Sequence, residues 1–163
     1  NGSGKSTLIK IVCGLLKNYK GDIYLNGDDF KAVNVIKWRQ IISYAPQTPY
    51  LFRTTVRENI TFDDDTLLSD NAEKLMNAFS ILPLAEKQVI VDNDLSGGEK
   101  QKISIIRALL RKSDILILDE PTNHLDAGSI DFLRQWLSNE PRTIIVITHS
   151  HELDDVISKC LNI

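Results

Sequence analysis

The run Asn1-Gly2-Ser3-Gly4-Lys5-Ser6-Thr7 matches the second part of the pattern G-x-x-x-x-G-K-[ST] and leads straight into a helix-like segment, the context that pattern requires. Glycines let successive backbone N–H groups converge on phosphate oxygens, and a helix N-terminus adds partial positive charge. Lys5 is expected to reach the β and γ phosphates of a bound triphosphate, and Ser6 to ligate Mg²⁺. A Gly/Ser-rich turn before a helix is the plain alternative. The first glycine of the pattern would precede Asn1 by two residues, so the chain is expected to be a fragment that begins inside this loop.

Further along, Asp114-Ile115-Leu116-Ile117-Leu118-Asp119-Glu120 sets two adjacent carboxylates at the end of an apolar strand-like run. Ligands of parallel α/β sheets sit at that strand end. Asp119 can hold Mg²⁺, directly or through water, while Glu120 can polarise an attacking water as general base. Thr148-His149 follows the next apolar run, so His149 should emerge at the same edge, its imidazole able to meet the γ phosphate or the water. Polar residues before the Pro121 turn, and a histidine after a strand, each have an ordinary surface reading taken alone. Beside a phosphate loop, the chemical reading is preferred.

Leu95-Ser96-Gly97-Gly98-Glu99 opens a further helix-like segment. Ser96 and Glu99 have the spacing of a capping box. Two glycines in a first helical turn cost about 1 kcal/mol each relative to Ala, and close approach of the backbone to an anion would account for them.

These residues need a scaffold to hold them. Residues 5–16 carry apolar Leu8, Ile9, Ile11, Val12 and Leu15 at helical spacing, with Gly14 as a stop. Residues 21–27 alternate as a half-buried strand that ends in an Asn-Gly turn, and a second strand is expected over 41–45. Ala72, Leu75, Met76 and Phe79 predict a helix over 67–79, capped by Ser69 or Asp70. The Asp63-Asp64-Asp65 run beside it reads as a solvated loop rather than a metal site. Apolar runs at 115–118 and 143–148 flank the helical pattern Ile130, Leu133, Trp136 and Leu137. Strand, helix, strand implies a parallel βαβ unit, and runs apolar on both faces imply a parallel sheet with helices on both sides.

With 163 residues, 42% hydrophobic and 25% charged, the chain can bury a core as a single domain. A net charge of −3 lacks the basic surplus of nucleic-acid binders, so no nucleic-acid partner is expected. Cys13 and Cys160 are far apart and outside any CxxC spacing, which fits inert core thiols in a reducing compartment. His149-x-His151 is too weak a pair to argue for zinc. No apolar run approaches the roughly 20 residues of a membrane-spanning helix, so any membrane association is expected to come through a partner.

The order and spacing of the phosphate loop, Gln47, Leu95-Ser96-Gly97-Gly98-Glu99, Asp119-Glu120, Leu125-Asp126 and His149 resemble the nucleotide-binding domain of ABC (ATP-binding cassette) proteins over essentially the whole chain. The resemblance implies a P-loop NTPase (RecA-like) fold of the α/β class: a parallel sheet core, a helical insertion at about residues 48–112 and remnants of an antiparallel β subdomain. It implies ATP and Mg²⁺ as cofactors, with Asn1 to Thr7 on the phosphates and Ser6, Gln47 and Asp119 around the metal. Glu120, His149 and Gln47 would be catalytic. It also implies a head-to-tail dimer, in which Leu95 to Glu99 bind the γ phosphate held by the other domain and Asp126 lies across the interface.

Tyr44-Ala45-Pro46-Gln47-Thr48-Pro49-Tyr50-Leu51-Phe52 and Thr55-Val56-Arg57-Glu58-Asn59-Ile60 look like the exporter type. That type would place the chain at the cytoplasmic face of the cell membrane, with the segment after Gln47 receiving a coupling helix of the transporter's membrane domain, and a peptide is the suggested cargo. Core residues of a loop are the alternative for Tyr50, Leu51 and Phe52. Residues 89–94 lack the Glu/Gly-rich segment of many exporters. Pro121-Thr122-Asn123-His124-Leu125-Asp126 is shared with soluble ABC-F proteins that act on ribosomes, which is the alternative function. In isolation the fragment is expected to hydrolyse ATP weakly or not at all.

Overall fold

The computed structural model describes residues 4–25, 27–62, 70–91 and 94–159, and within these not the side chains of Ser6, Leu25 and Asp28. The expectations for Asn1 to Ser3, for the Asp63-Asp64-Asp65 run, for the cap at Ser69 and for Cys160 lie outside the described residues.

Helix α1, Lys5–Val12, is shorter than its apolar pattern suggests. Gly14 adopts φ +68, a left-handed conformation that glycine enters without penalty, and a Cβ there would lie 2.8 Å from the Val35 side chain. A hairpin of β1, Tyr24–Leu25, and β2, Asp28–Asp29, is antiparallel. The longer strand expected over 21–27 is cut to two residues by this turn, in which Gly27 has φ +94. Helix α2, Val35–Gln40, is capped by the Asn34 side chain and leads into strand β3, Ile42–Ala45. Helices α3, Val56–Thr61, α4, Asp70–Ala78, and α5, Gly97–Leu110, follow. The chain then alternates strand β4, Ile115–Asp119, helix α6, Ala127–Ser138, and strand β5, Thr143–Ile147.

Strands β3, β4 and β5 form a parallel sheet in the order β3-β4-β5, with Ala45 opposite Leu118 and Asp119 opposite Ile147. Alternation along each strand divides the core in two. Ala45, Leu116, Leu118, Ile144 and Val146 face a cluster that includes Ile60 of α3, Met76 of α4, Ile106 of α5 and Leu133 of α6. Ile42, Ile117, Ile145 and Ile147 face the other, with Ile9 and Cys13 at α1, Phe30, and Trp38 of α2. Helices therefore cover both faces, as the strand composition requires. The strand ends meet at one edge, where β3 runs out toward Gln47, β4 into Glu120 and β5 toward His149.

Candidate functional site

Asp119 ends β4 with only 4% of its surface exposed. The Tyr44 hydroxyl, one strand away, donates to its Oδ2 at 3.2 Å. Burial raises the Asp119 carboxyl above its usual range; the Tyr44 bond opposes this and the neighbouring Glu120 charge adds to it. Burial likewise pushes the Tyr44 phenol up, with Asp119 adding to the shift. A buried carboxylate crowded by a second one is electrostatically short of positive charge, which is the donor chemistry a divalent cation satisfies.

Glu120 is turned out of the strand by a left-handed backbone, φ +49, a conformation uncommon outside glycine. Three contacts hold it there. Its N–H donates to Ile147 O at 2.7 Å and its carbonyl accepts from Asn123 N at 3.2 Å. The carbonyl also accepts from Gln101 Nε2 of α5 at 3.4 Å. Its carboxylate accepts from His149 N at 3.3 Å, and the His149 Nε2 lies 3.6 Å from the other oxygen. The Glu120 side chain is only 8% exposed while the His149 ring is 66% exposed, so the imidazole covers the carboxylate from the solvent side. Gln47 is exposed, two residues past the end of β3.

The phosphate-loop end is described from Gly4 onward. Gly4 caps α1 with φ +85 and no side-chain cap bond, and a Cβ placed on it would meet no described atom within 4 Å. A helix start of this kind presents first-turn backbone N–H groups to an acceptor outside the helix. That arrangement fits an anionic phosphate group. Helix α1 packs its Ile9 and Cys13 in the same cluster as Ile117, and the Lys10 charge pulls the Asp119 carboxyl down.

At the start of α5, the capping box is formed in both directions. Glu99 N donates to Ser96 Oγ at 3.2 Å, and Ser96 N donates to Glu99 Oε2 at 2.6 Å. Leu95 is buried, while Ser96 and Gly97 are exposed. The two glycines differ. A Cβ on Gly98 would lie 2.6 Å from the His124 carbonyl oxygen, whereas one on Gly97 would meet the His124 ring at an ordinary 3.8 Å. Close approach of the chain to itself therefore already requires Gly98, independently of any anion. His124 has φ +62 and brings the 121–126 turn against α5.

Asp126 is committed within the chain. Its Oδ1 accepts from Ser129 N at 2.9 Å, capping α6, and its Oδ2 lies 2.5 Å from Lys102 Nζ of α5. The Lys102 contact and the cap together hold its carboxyl down at about 2. In the segment after Gln47, Leu51 packs against the larger core cluster, while its aromatic neighbours face outward. Tyr50 is 70% exposed, and Phe52 and Phe62 are exposed beside it, stacked edge to face in the order Tyr50, Phe52, Phe62.

A family model described as ABC transporter matches residues 1–123, which contain the phosphate loop, the Ser-Gly-Gly helix and the paired carboxylates. The chain belongs to the ABC transporter family. It is 39% identical to the ABC transporter B family member 13 of Arabidopsis thaliana, over 91% of this chain and 13% of that protein. It is 33% identical to the glutathione/L-cysteine transport system ATP-binding/permease protein CydD of Haemophilus influenzae, over 93% of this chain and 27% of that protein. Among solved structures, a bacterial Atm1-family ABC exporter with ATP bound superposes with a TM-score of 0.81 at 27% identity, over 92% of this chain and 28% of that one. The chain thus spans a minor part of the relatives it matches, and its parallel α/β fold is that of the family's ATP-binding domain.

Several ABC-domain contacts have no local signal in the sequence. Tyr44 meets Asp119 across 75 positions, and Gln101 meets Glu120. Arg107 of α5 reaches back to Asn59 and Tyr50. No helix among the described residues is long and apolar enough to cross a membrane.

Proposed function

We propose that the whole chain is one ATP-binding domain, with residues 48–112 as its helical insertion, and that it hydrolyses ATP to ADP and phosphate to drive export through a membrane domain. The observation that carries this reading is the juxtaposition of Asp119, Glu120 and His149 at one sheet edge, on a sheet whose other cluster holds Ile9 of α1. Asn1, Gly2, Ser3, Gly4, Lys5, Ser6 and Thr7 hold the phosphates through backbone N–H groups and the Lys5 ammonium. Ser6 and Asp119 hold Mg²⁺, with Gln47 beside it. When bound there, Mg²⁺ would supply charge neutralisation for phosphoryl transfer. Glu120, fixed by its backbone bonds, orients the attacking water and takes its proton. His149 shields that carboxylate and presents its ring to the γ phosphate. In a head-to-tail pair with a second ATP-binding domain, Leu95, Ser96, Gly97, Gly98 and Glu99 face the other domain's γ phosphate, and Asp126 supports that interface from within its own chain by anchoring α6 to α5.

The Tyr50, Phe52 and Phe62 patch is the site we assign to a coupling helix of the membrane domain, because stacked exposed aromatics suit a docked amphipathic segment. With that assignment, the location we propose for the domain is the cytoplasmic face of the cell membrane. The Haemophilus relative is named for glutathione and L-cysteine, and a small peptide is the cargo class we propose here. The test is steady-state ATPase of the full-length protein in lipid, with and without Glu120→Gln, while dimerisation is followed in MgATP. A loss of turnover of about 10²- to 10⁴-fold, together with an accumulating ATP-bound dimer, supports the assignment. Turnover that survives the substitution refutes Glu120 as the base. A monomer in MgATP refutes the head-to-tail pair, and ATP-dependent cosedimentation with ribosomes instead of membrane activity refutes export.

A further inference from the structure

Arg107 sits ten residues along α5 from Gly97, about 15 Å at the helical rise, and is the side chain by which this helix grips the aromatic patch. Its guanidinium spreads over three acceptors. Nε donates to Asn59 O at 2.6 Å, Nη1 to Tyr50 O at 3.1 Å and Nη2 to Asn59 Oδ1 at 3.3 Å. The Phe62 ring lies 4.8 Å from the guanidinium carbon, in a cation–π seat. Burial lowers the Arg107 pKa to about 10, which leaves it charged at neutral pH.

Asn59 is fully buried and completes the grip. Its Oδ1 accepts from Phe52 N at 2.8 Å, and its Nδ2 donates to Phe52 O and Thr55 O at 3.0 Å each. The backbone of the 50–55 strap is therefore held by Asn59 and Arg107 acting as one network. The three aromatic rings sit on that strap and at the end of α3. Tyr50 and Phe62 thus meet Arg107 directly and Phe52 meets it through Asn59, on a helix whose other end carries Ser96 and, through Gln101, touches the carbonyl of Glu120.

We propose that Arg107 is a positioning residue that couples occupancy of the Tyr50, Phe52 and Phe62 patch to the placement of the Ser96 end of α5, and hence to the rate of hydrolysis. This inference rests on the reading of the patch as the membrane-domain docking site. A rigid helix with a forked, partly buried cation at one end transmits displacement because neither the helix nor the fork deforms easily. Lysine at this position keeps the charge but cannot hold Tyr50 O, Asn59 O and Asn59 Oδ1 together.

The experiment uses the full-length protein in lipid and measures kcat and KM for ATP, along with ATP-driven transport, in Arg107→Lys, Phe52→Ala and the double variant. Because Phe62 is exposed, Phe62→Leu, which removes the ring beneath the guanidinium and its edge contact with Phe52, serves as the variant least able to unfold the domain. Coupling of this kind is worth about 2- to 30-fold. Arg107→Lys and Phe62→Leu are expected to lower kcat within that range with KM within about twofold of wild type, and the double variant should be no slower than Phe52→Ala alone. Unchanged kcat in Arg107→Lys, or Arg107→Lys and Phe52→Ala effects that multiply, overturns the relay. If that happens while Phe52→Ala still abolishes transport, docking stands and only the relay fails. Undiminished transport in Phe52→Ala refutes the docking reading itself, and the relay with it.

Discussion

Replacing Gly98 by alanine separates the packing requirement at the start of α5 from any requirement set by an anion. The new Cβ would stand 2.6 Å from the His124 carbonyl oxygen, 0.4 Å inside the 3.0 Å that real Cβ atoms respect. The opposing atom is backbone, in a turn pinned by the Asp126 cap and the Asn123 bond to Glu120, so it cannot swing aside as a side-chain tip would. Overpacking of this kind costs about 1–3 kcal/mol. The gain in helix propensity returns about 1 kcal/mol, leaving a net loss of up to about 2 kcal/mol. Gly97→Ala meets only the His124 ring at 3.8 Å and should gain up to about 1 kcal/mol by the same propensity term. Denaturant unfolding of the two variants against wild type should therefore move the midpoints in opposite directions. Equal midpoints, or a Gly98→Ala variant as stable as wild type, would refute the packing argument. ATPase rates from the same samples add the second half: if the backbone here approaches a phosphate, Gly97→Ala should lose activity despite its greater stability.

Other expectations follow from the same contacts. The Asp126 carboxyl is depressed from 3.8 to about 2, so its contribution is complete above the ordinary value and is lost as pH falls through about 2. Asp126→Asn should keep most of the cap, lose no more than about 1 kcal/mol because the Asp126 side chain is 60% exposed, and flatten the acid limb of the stability profile. Asp119→Asn removes the charge that burial and Glu120 disfavour; the apo protein should be no less stable by thermal unfolding, while the Mg²⁺ dependence of ATP binding weakens. Cys13 is buried with its thiol pushed up to about 11, so it should resist maleimide at pH 8 in the native protein and react on unfolding.

Most of the sheet was legible because its strands are apolar on both faces and bounded by turn residues, a local pattern. The 115–118 and 143–148 runs appear as β4 and β5 within a residue at their ends, and the apolar helix register of 130–137 appears as α6. The capping box of α5 was legible for the same reason, since its partners lie three residues apart. Boundaries were less so where tertiary contact decides. Gly14 stops α1 four residues before the end of its apolar pattern because the chain turns left-handed against Val35. The carboxylate edge was readable from strand order, but its supports were not: Tyr44 on Asp119, Gln101 on Glu120 and Arg107 on the aromatic strap join residues 19 to 75 positions apart. No periodicity encodes such pairs. The sequence ties the second glycine of the Ser-Gly-Gly run only to an anion, and the close approach of the His124 carbonyl, which demands glycine independently, has no local signal.

The proposed activation of water by Glu120, against ATP held at this sheet edge, is decided by a single-turnover experiment on the full-length protein with Glu120→Gln in excess over MgATP labelled at the γ phosphate. The bound label should remain ATP, with wild type converting it to phosphate within the same interval. Release of phosphate by Glu120→Gln at the wild-type rate would contradict the claim.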